Sequence, residues 1–444
     1  MSLFLGIDLG TQSLKALVYD SESRVVIGRG SSPCRPPDSP RTGAAEQNPS
    51  DWWRAFERAT REALAGEGVD SSAIVAMGVS GQQHGLVTLD DAGEVLRPAK
   101  LWCDSEASSE AAEFSAVMGR KIPSGYTAPK LLWMKRKESE LFRRIHRVCL
   151  PHDWLNLQLT GEWGTDPGDA SGNGFFNPAA KEMNSAAVDW LDSSLAAKLP
   201  PLNPADGWHG NLMPEVALSF GLPESIPVSV GSGDNMMSAL GAGATRDGVM
   251  VASLGTSGTL FGRAPGPAPI EESGVREFLD ATGSWLPLHC IENCTVPLNA
   301  VAEASGLSHT ALTELAAQKE LGPGNKYREV MEEVSFALHA GASLLEKWGL
   351  RGEELRVVGG GARNPFWLSL LADIFGVPVL ALKEPDTAAL GAALQALAAK
   401  SGDFLKTLRD HASPTSEALQ PDFERREALR ARSERWKESQ EGIA

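Results

Sequence analysis

The feature that most constrains this chain is a repeat. From Leu3 to Tyr19, LFLGIDLGT is an apolar run ending in Gly-Thr, and LKALVYD follows with strand character. Far downstream, GVMVASLGTSGTLFG, residues 248–262, has the same design: an apolar strand, Leu-Gly-Thr, then a second strand. Each reads as a β-hairpin. A tight reversal carrying Gly10 and the hydroxyls of Thr11 and Ser13 exposes backbone N–H groups, as a phosphate-holding turn requires. Thr11 and Thr256 occupy equivalent places. Two such hairpins, one opening each half, predict a duplicated α/β domain over 1–245 and 246–444, with the two phosphate turns facing one another across a cleft.

The length of 444 residues suits two domains, and 42% hydrophobic with 22% charged residues supplies two ordinary cores. A formal charge of -16 excludes a general nucleic-acid or membrane-surface binder, which needs surplus Lys and Arg. An acidic chain that handles phosphate must instead rely on backbone N–H groups, a few placed cations and a bound metal. The five cysteines are scattered, without metal-binding spacing, and read as reduced thiols in a cytoplasmic protein. The N-terminal MSLFLGIDLG has no basic region ahead of an apolar one, and nothing approaches the ~20 apolar residues of a membrane span.

Between and after the hairpins the pattern alternates. A helix is expected over 51–65, capped by Ser50 or Asp51, then a strand over 74–79 leading to Gly81. Further strands are expected at 147–150, 228–231 and 356–358, with helical spacing at 131–135, 298–304, 328–345 and 364–375. Residues 32–42 and 262–269 read as exposed loops, and the Arg/Glu-rich 422–441 as a solvated helix.

Several residues carry possible chemistry. Asp8 ends the first strand just before a phosphate turn, where a carboxylate reaches a Mg²⁺ on nucleotide phosphates; an Asp there also caps turns. The second copy has Ser253 in that place, which fits one metal-facing carboxylate for two turns. Asp234, in VSVGSGDNMMSALGAG, follows a strand and two glycines and opens a helix of small residues. That position suits a base taking a proton from a hydroxyl as its oxygen attacks a γ-phosphorus, and it also suits a helix N-cap. GQQHG (81–85) and LWCDSE (101–106) gather hydrogen-bonding groups beside an aromatic ring, as a sugar pocket requires. VVGGGARNPFW (357–367) is a strand, three glycines and a helix, a turn that lets a nucleotide approach. The small-residue helix in EPDTAALGAAL (384–394) could pack against that turn.

Taken in order, GIDLGT, GQQHG, LWCDSE, GYTAPKLLW, GSGDN, LGTSGT and GGGAR resemble the FGGY carbohydrate kinases nearly end to end. The resemblance implies a duplicated actin-like and hexokinase-like (ribonuclease H-like) α/β fold with ATP and Mg²⁺ in an interdomain cleft. It implies transfer of the γ-phosphate to a small ketose or polyol, and GQQHG with GYTAPKLLW favours D-xylulose over glycerol or gluconate. By the same likeness Asp234 is the general base and Asp8 lies at the metal. Thr11, Gln12, Ser13 and Thr256 line the phosphate path, with Lys15 as a nearby cation. Gln83, His84, Trp102, Asp104 and Asn235 line the sugar pocket, and Gly360, Gly361 and Asn364 meet the nucleotide. The family also implies a homodimer. A catalytically silent sugar- or nucleotide-binding regulator on the same fold is the alternative, against which stand both phosphate turns together with Asp8 and Asp234. The chain departs from the family after Asn325, where a proline- and aromatic-containing stretch ending in a Gly-Glu-Arg loop is missing, and near Gly119–Ile122, where it is shorter; both read as mobile loops left out of the chain as written.

Overall fold

The computed structural model describes residues 2–267, 274–318, 322–412 and 415–441. The chain forms two compact units. The first comprises Met1–Gly241, Glu277–Ser284 and Asp386–Ala412; the second comprises Ala242–Arg276, Trp285–Pro385 and Ser413–Ala444.

The first unit is built on a sheet whose strands are β1 (Leu3–Leu9), β2 (Ser13–Asp20), β3 (Val25–Pro33), β4 (Ile74–Gly81), β5 (Trp208–Asn211), β6 (Pro227–Ser229) and β7 (Ser232–Gly233). Their order is β5-β6-β4-β1-β2-β3, with β7 also paired to β4. The expected hairpin is present as antiparallel β1 and β2, and β4 runs parallel to β1. Leu3, Leu5, Ile7 and Leu9 alternate onto the face that buries Trp52 and Phe56 of α1 (Pro49–Leu64). That helix begins before the expected position: Pro49 takes the first turn, where its missing N–H is no loss, and Asn48 caps it by accepting from Ser50 N. Three further helices matter for function: α2 (Pro151–Thr160), the short α3 (Pro167–Ala170) and α4 (Asp234–Gly241).

The second unit repeats the plan. Its sheet comprises β8 (Val249–Leu254), β9 (Gly258–Gly262), β10 (Val275–Leu279, whose last three residues fall in the first unit), β11 (Trp285–Ile291), β12 (Glu354–Val358) and β13 (Val379–Ala381), in the order β10-β11-β9-β8-β12-β13. As β1 pairs antiparallel with β2 and parallel with β4, so β8 pairs antiparallel with β9 and parallel with β12. Helix α5 (Pro323–Glu346) runs unbroken through Asn325 and Lys326, and α6 (Pro365–Phe375) follows the glycine triplet. The end of the 262–269 loop lies outside the described residues.

Beyond β13 the chain returns to the first unit as α7 (Thr387–Ser401), so that unit is assembled from separate stretches of chain. The sequence placed this helix against the glycine triplet; it packs instead on β1, β4 and α4. The reason is its composition: Thr387 through Ala396 are all buried, and a helix apolar all round needs cover on several sides. Along this seam backbone meets backbone. A Cβ on Gly6 would lie 2.0 Å from Ala389 O, one on Gly241 2.0 Å from Thr387 O, and one on Gly391 1.9 Å from Met237 O. The final helix, α8 (Phe423–Glu441), is exposed over much of its surface as expected, but it is anchored. Arg425 Nε lies 2.8 Å from buried Asp373 and Arg432 Nη2 2.6 Å from buried Glu332, charges that need a partner out of water. Among the described residues no helix is long and apolar enough to cross a membrane.

Candidate active site

In the first unit, register brings the acids together. Asp8 on β1 is the parallel partner of Ser80 on β4, and Ser232 on β7 pairs with the same Ser80, so Asp8 and the start of α4 flank one strand end. Asp8 Oδ1 accepts from Ser80 Oγ at 2.8 Å. Burial raises its pKa, opposed by Lys15 and the Ser80 hydrogen bond. Asp234 is the first residue of α4, and its Oδ1 accepts from Asn235 N at 2.8 Å and from Asn235 Nδ2 at 3.1 Å. It therefore does not spend its carboxylate on the amides one turn into the helix, as an N-cap does. Asn235 Nδ2 also donates to Gln83 Oε1 at 2.8 Å, making a chain from Gln83 through Asn235 to Asp234. Burial, then the charges of Asp8 and Asp169, push the Asp234 carboxyl up to about 7. Asp169 was not among the residues the sequence singled out.

His84 has φ +64, and its carbonyl accepts from Lys130 Nζ at 2.9 Å and Thr127 Oγ1 at 3.1 Å. Its ring lies 4.5 Å from Tyr126 and 5.6 Å from Phe278, centroid to centroid, forming an aromatic wall beside Gln83. Lys130, the lysine of GYTAPK, also escaped the sequence reading. It is fully buried, which draws its pKa down to about 7, and it braces a residue held in the left-handed region.

The turn between β1 and β2 carries Thr11, Gln12 and Ser13. Gly10 N donates to Ser13 O at 3.1 Å, Cys34 N to Gln12 O at 2.9 Å, and Gln47 Nε2 to Thr11 O at 2.8 Å. Thr11 Oγ1 donates to Gln82 Oε1 at 2.8 Å and accepts from Trp102 Nε1 at 3.0 Å, so half-exposed Trp102 is tied to the turn by its indole N–H. Lys15 Nζ lies 2.8 Å from Asp386 Oδ1 just before α7. Asp104 differs from expectation. It is buried, with Oδ2 bound to Lys100 Nζ at 2.9 Å and to Ala45 N at 3.0 Å, and Oδ1 accepting from Glu106 N at 3.1 Å. With its side chain fully buried among these partners, it organises the LWCDSE loop and shows no surface to a sugar hydroxyl. Glu46, Asp104 and Glu106 cluster as metal ligands do, but the Lys100 ammonium, 2.5 Å from Glu106 and 3.6 Å from Glu46, stands where a cation would.

In the second unit, Thr256 sits on a shorter turn, with Gly255 N donating to Ser257 O at 3.1 Å and Cys294 N to Thr256 O at 2.9 Å. Gly360, Gly361 and Asn364 line a cavity of about 600 Å³ together with Leu298, Tyr327 and Trp367. The size and mixed lining suit a nucleoside. Asn364 is occupied internally: Oδ1 caps α6 by accepting from Trp367 N at 3.0 Å, and Nδ2 donates to Thr313 Oγ1 at 2.9 Å. It shapes the cavity through the fold of the glycine turn.

A duplicated sheet with a Gly-Thr hairpin turn on each copy and buried carboxylates at one strand end defines a class, and the family models agree. Residues 3–241 match the N-terminal domain, and 299–400 the C-terminal domain, of the FGGY family of carbohydrate kinases. The chain belongs to this family, with its actin-like two-domain α/β fold, and is a carbohydrate kinase with ATP as co-substrate. It is 33% identical to a xylulose kinase of Haemophilus influenzae over 91% of this chain and 92% of that protein. Among solved structures it resembles a "xyloylose kinase" from Brucella ovis, with TM-score 0.91 and 29% identity over 99% of each chain. The xylulose kinase of Rhodospirillum rubrum matches with TM-score 0.87 and 26% identity over 99% of each chain.

Proposed function

We propose that the protein transfers the γ-phosphate of ATP to the 5-hydroxyl of D-xylulose, with Asp234 as general base. The observation that carries the reading is the Asp234 carboxylate, partly accessible and held by Asn235, with a pKa pushed up to about 7 by burial and by Asp8 and Asp169. A base of that strength is about half ionised at neutral pH and still accepts a proton. The relatives named as xylulose kinases support the choice of sugar.

Asp234 takes the proton of the attacking hydroxyl as its oxygen bonds to the γ-phosphorus. The bond from that phosphorus to the bridging oxygen breaks, and ADP leaves with the electron pair. Gln83, Asn235 and the His84 aromatic wall orient the sugar, with Trp102 covering an apolar ring or chain face. The turn N–H groups at Thr11, Gln12 and Ser13 meet charge on the moving phosphoryl group. Gly360 and Gly361 admit the nucleotide.

The donor set fits a hard dication: Asp8 is a carboxylate whose pKa burial raises, and its charge in turn raises Asp234, so a nearby cation relieves both. Asp8 would hold Mg²⁺, which when bound neutralises phosphate charge. A coupled ADP-release assay with Mg²⁺ over a panel of ketoses and polyols tests the proposal. D-xylulose should give the largest kcat/KM. Equal or greater turnover of another sugar would reject the substrate, and no sugar-dependent ADP would favour a silent regulator.

A further inference from the structure

Behind the Gln83–Asn235–Asp234 chain lies a charged cluster removed from water. His152, the second residue of α2, bonds through Nδ1 to Asp169 Oδ2 at 2.8 Å, and its Nε2 lies 3.1 Å from Asp153 Oδ1 and 3.5 Å from Asp166 Oδ1. All four side chains are fully buried. Burial opposes a charge on the ring, but Asp153, Asp169 and Asp166 outweigh it and raise the histidine's pKa, while the same burial lifts the carboxyls of Asp153 and Asp166 to about 7 and about 6, so histidine and acids share protons as one cluster.

Two arms run from this histidine to the site. Asp166, which caps α3 by accepting from Gly168 N and Asp169 N, also accepts from Ser232 Oγ at 2.7 Å, two residues before Asp234. Asp169 faces Gln83: a Cβ on Gly233 would lie 3.1 Å from Asp169 Oδ1 and 2.6 Å from Gln83 Cγ, so carboxylate and amide flank one glycine. Asp169 Oδ1 and Gln83 Nε2 are both buried without a close hydrogen-bond partner, and the His84 backbone N–H and the Gln83 amide both lie near enough to stabilise the carboxylate. Buried donors and acceptors that face one another in this way satisfy each other's polarity, so Asp169 steadies the start of GQQHG through both Gln83 and His84. The histidine also fills space beneath both strand ends. A Cβ on Gly81 would lie 2.9 Å from His152 N, and one on Gly231, at φ +80, 3.0 Å from His152 Cδ2. The first glycine of GQQHG and the first of GSGDN are thus the places where backbone at the strand ends rests on α2.

We propose that His152 is a positioning residue for phosphoryl transfer, holding Gln83 through Asp169 and Ser232 through Asp166 so that the Gln83–Asn235–Asp234 chain keeps one geometry when the sugar arrives. The proposal rests on Asp234 as the base. The charged groups facing His152 are Asp153 on its own helix and Asp166 and Asp169 on α3; those facing Asp234 are Asp8 on β1 and Asp169.

The test compares the wild-type enzyme with His152→Gln, Asp169→Asn and the double variant in the ADP-release assay with Mg²⁺. Each single change should lower kcat/KM for the sugar about tenfold to a hundredfold, the effect of a small misplacement, and leave the KM for ATP within about twofold. The double variant should be no worse than the poorer single one, because both act in one relay. Asp169→Asn also removes a charge that raises Asp234, so its acid limb of kcat/KM should move to lower pH, a change that loss of packing alone does not produce. A wild-type kcat/KM in His152→Gln, multiplied losses in the double variant, or an unmoved limb in Asp169→Asn would overturn the role of His152. If His152→Gln does not fold, the Asp169→Asn limb decides. Wild-type protein inactive on every sugar would instead reject the underlying function.

Discussion

Replacing Gly391 with alanine sets two physical effects against one another. In a helix interior alanine is favoured over glycine by about 1 kcal/mol, so propensity alone predicts a more stable protein. The structure predicts the reverse. The new Cβ would lie 1.9 Å from Met237 O, 2.7 Å from Met237 C and 3.1 Å from Gly241 N. All three are backbone atoms of α4, so no side chain can swing aside. Reaching ordinary van der Waals separation requires α7 and α4 to part by more than about 1 Å. Overpacking of this kind costs about 1–3 kcal/mol, and with backbone on both sides the upper end applies, leaving a net loss of about 2 kcal/mol after the helix gain. Because Asp234 opens α4, a displacement of about 1 Å should also lower kcat about a hundredfold, or about 2.7 kcal/mol in barrier. Urea unfolding followed by tryptophan fluorescence, with Trp52 and Trp154 in the first core, reads the stability; steady-state turnover at saturating ATP and sugar reads the rate. A Gly391→Ala protein with a higher urea midpoint, or with unchanged kcat, would refute the close-approach argument.

Two other perturbations follow from the site. Asp234→Asn should lower kcat by about 10²–10⁴-fold while ATP affinity stays nearly intact. In the wild type, the base must be deprotonated and burial with Asp8 and Asp169 raises its pKa to about 7, so kcat/KM for the sugar should fall tenfold per pH unit below that point; a profile flat down to pH ~5 would contradict the assignment. Lys100→Met leaves Glu46, Asp104 and Glu106 facing one another without their ammonium, and a broken buried ion pair should destabilise by about 3–5 kcal/mol in urea unfolding. A wild-type midpoint would show that the cluster is neutralised in another way.

The hairpins, the parallel strands beside them and the glycine turn before α6 were legible in the sequence, because local hydrophobic alternation and glycine placement specify them directly. Asp8 and Asp234 stood out for the same reason: each lies at a strand end marked by glycine, Asp8 just before Gly10 and Asp234 just after Gly231 and Gly233. What escaped was set by distant partners. PHDWLNLQLT gives no hint that His152 will meet Asp166 and Asp169, since their meeting depends on α2 and α3 folding onto the same strand ends. LWCDSE read as pocket because polar groups beside a tryptophan look alike whether they face a ligand or a buried lysine; only the fold shows Lys100 spending Asp104. The small-residue helix α7 was recognised as a close packer, but its destination lay across the whole second half of the chain.

That destination bears on the order in which the protein is made. When a ribosome has finished Gly241, β1, β4 and α4 exist, yet the helix that closes over Gly6 and Gly241 has not been synthesised. At ~5–20 residues per second, on the order of ten to thirty seconds pass before α7 emerges. Through that interval the newborn first unit presents an unfilled apolar trough to chaperones and proteases, and α4 lacks the support that fixes its first residue. Asp234 is translated near the midpoint of the chain but acquires its working position only once the closing helix arrives.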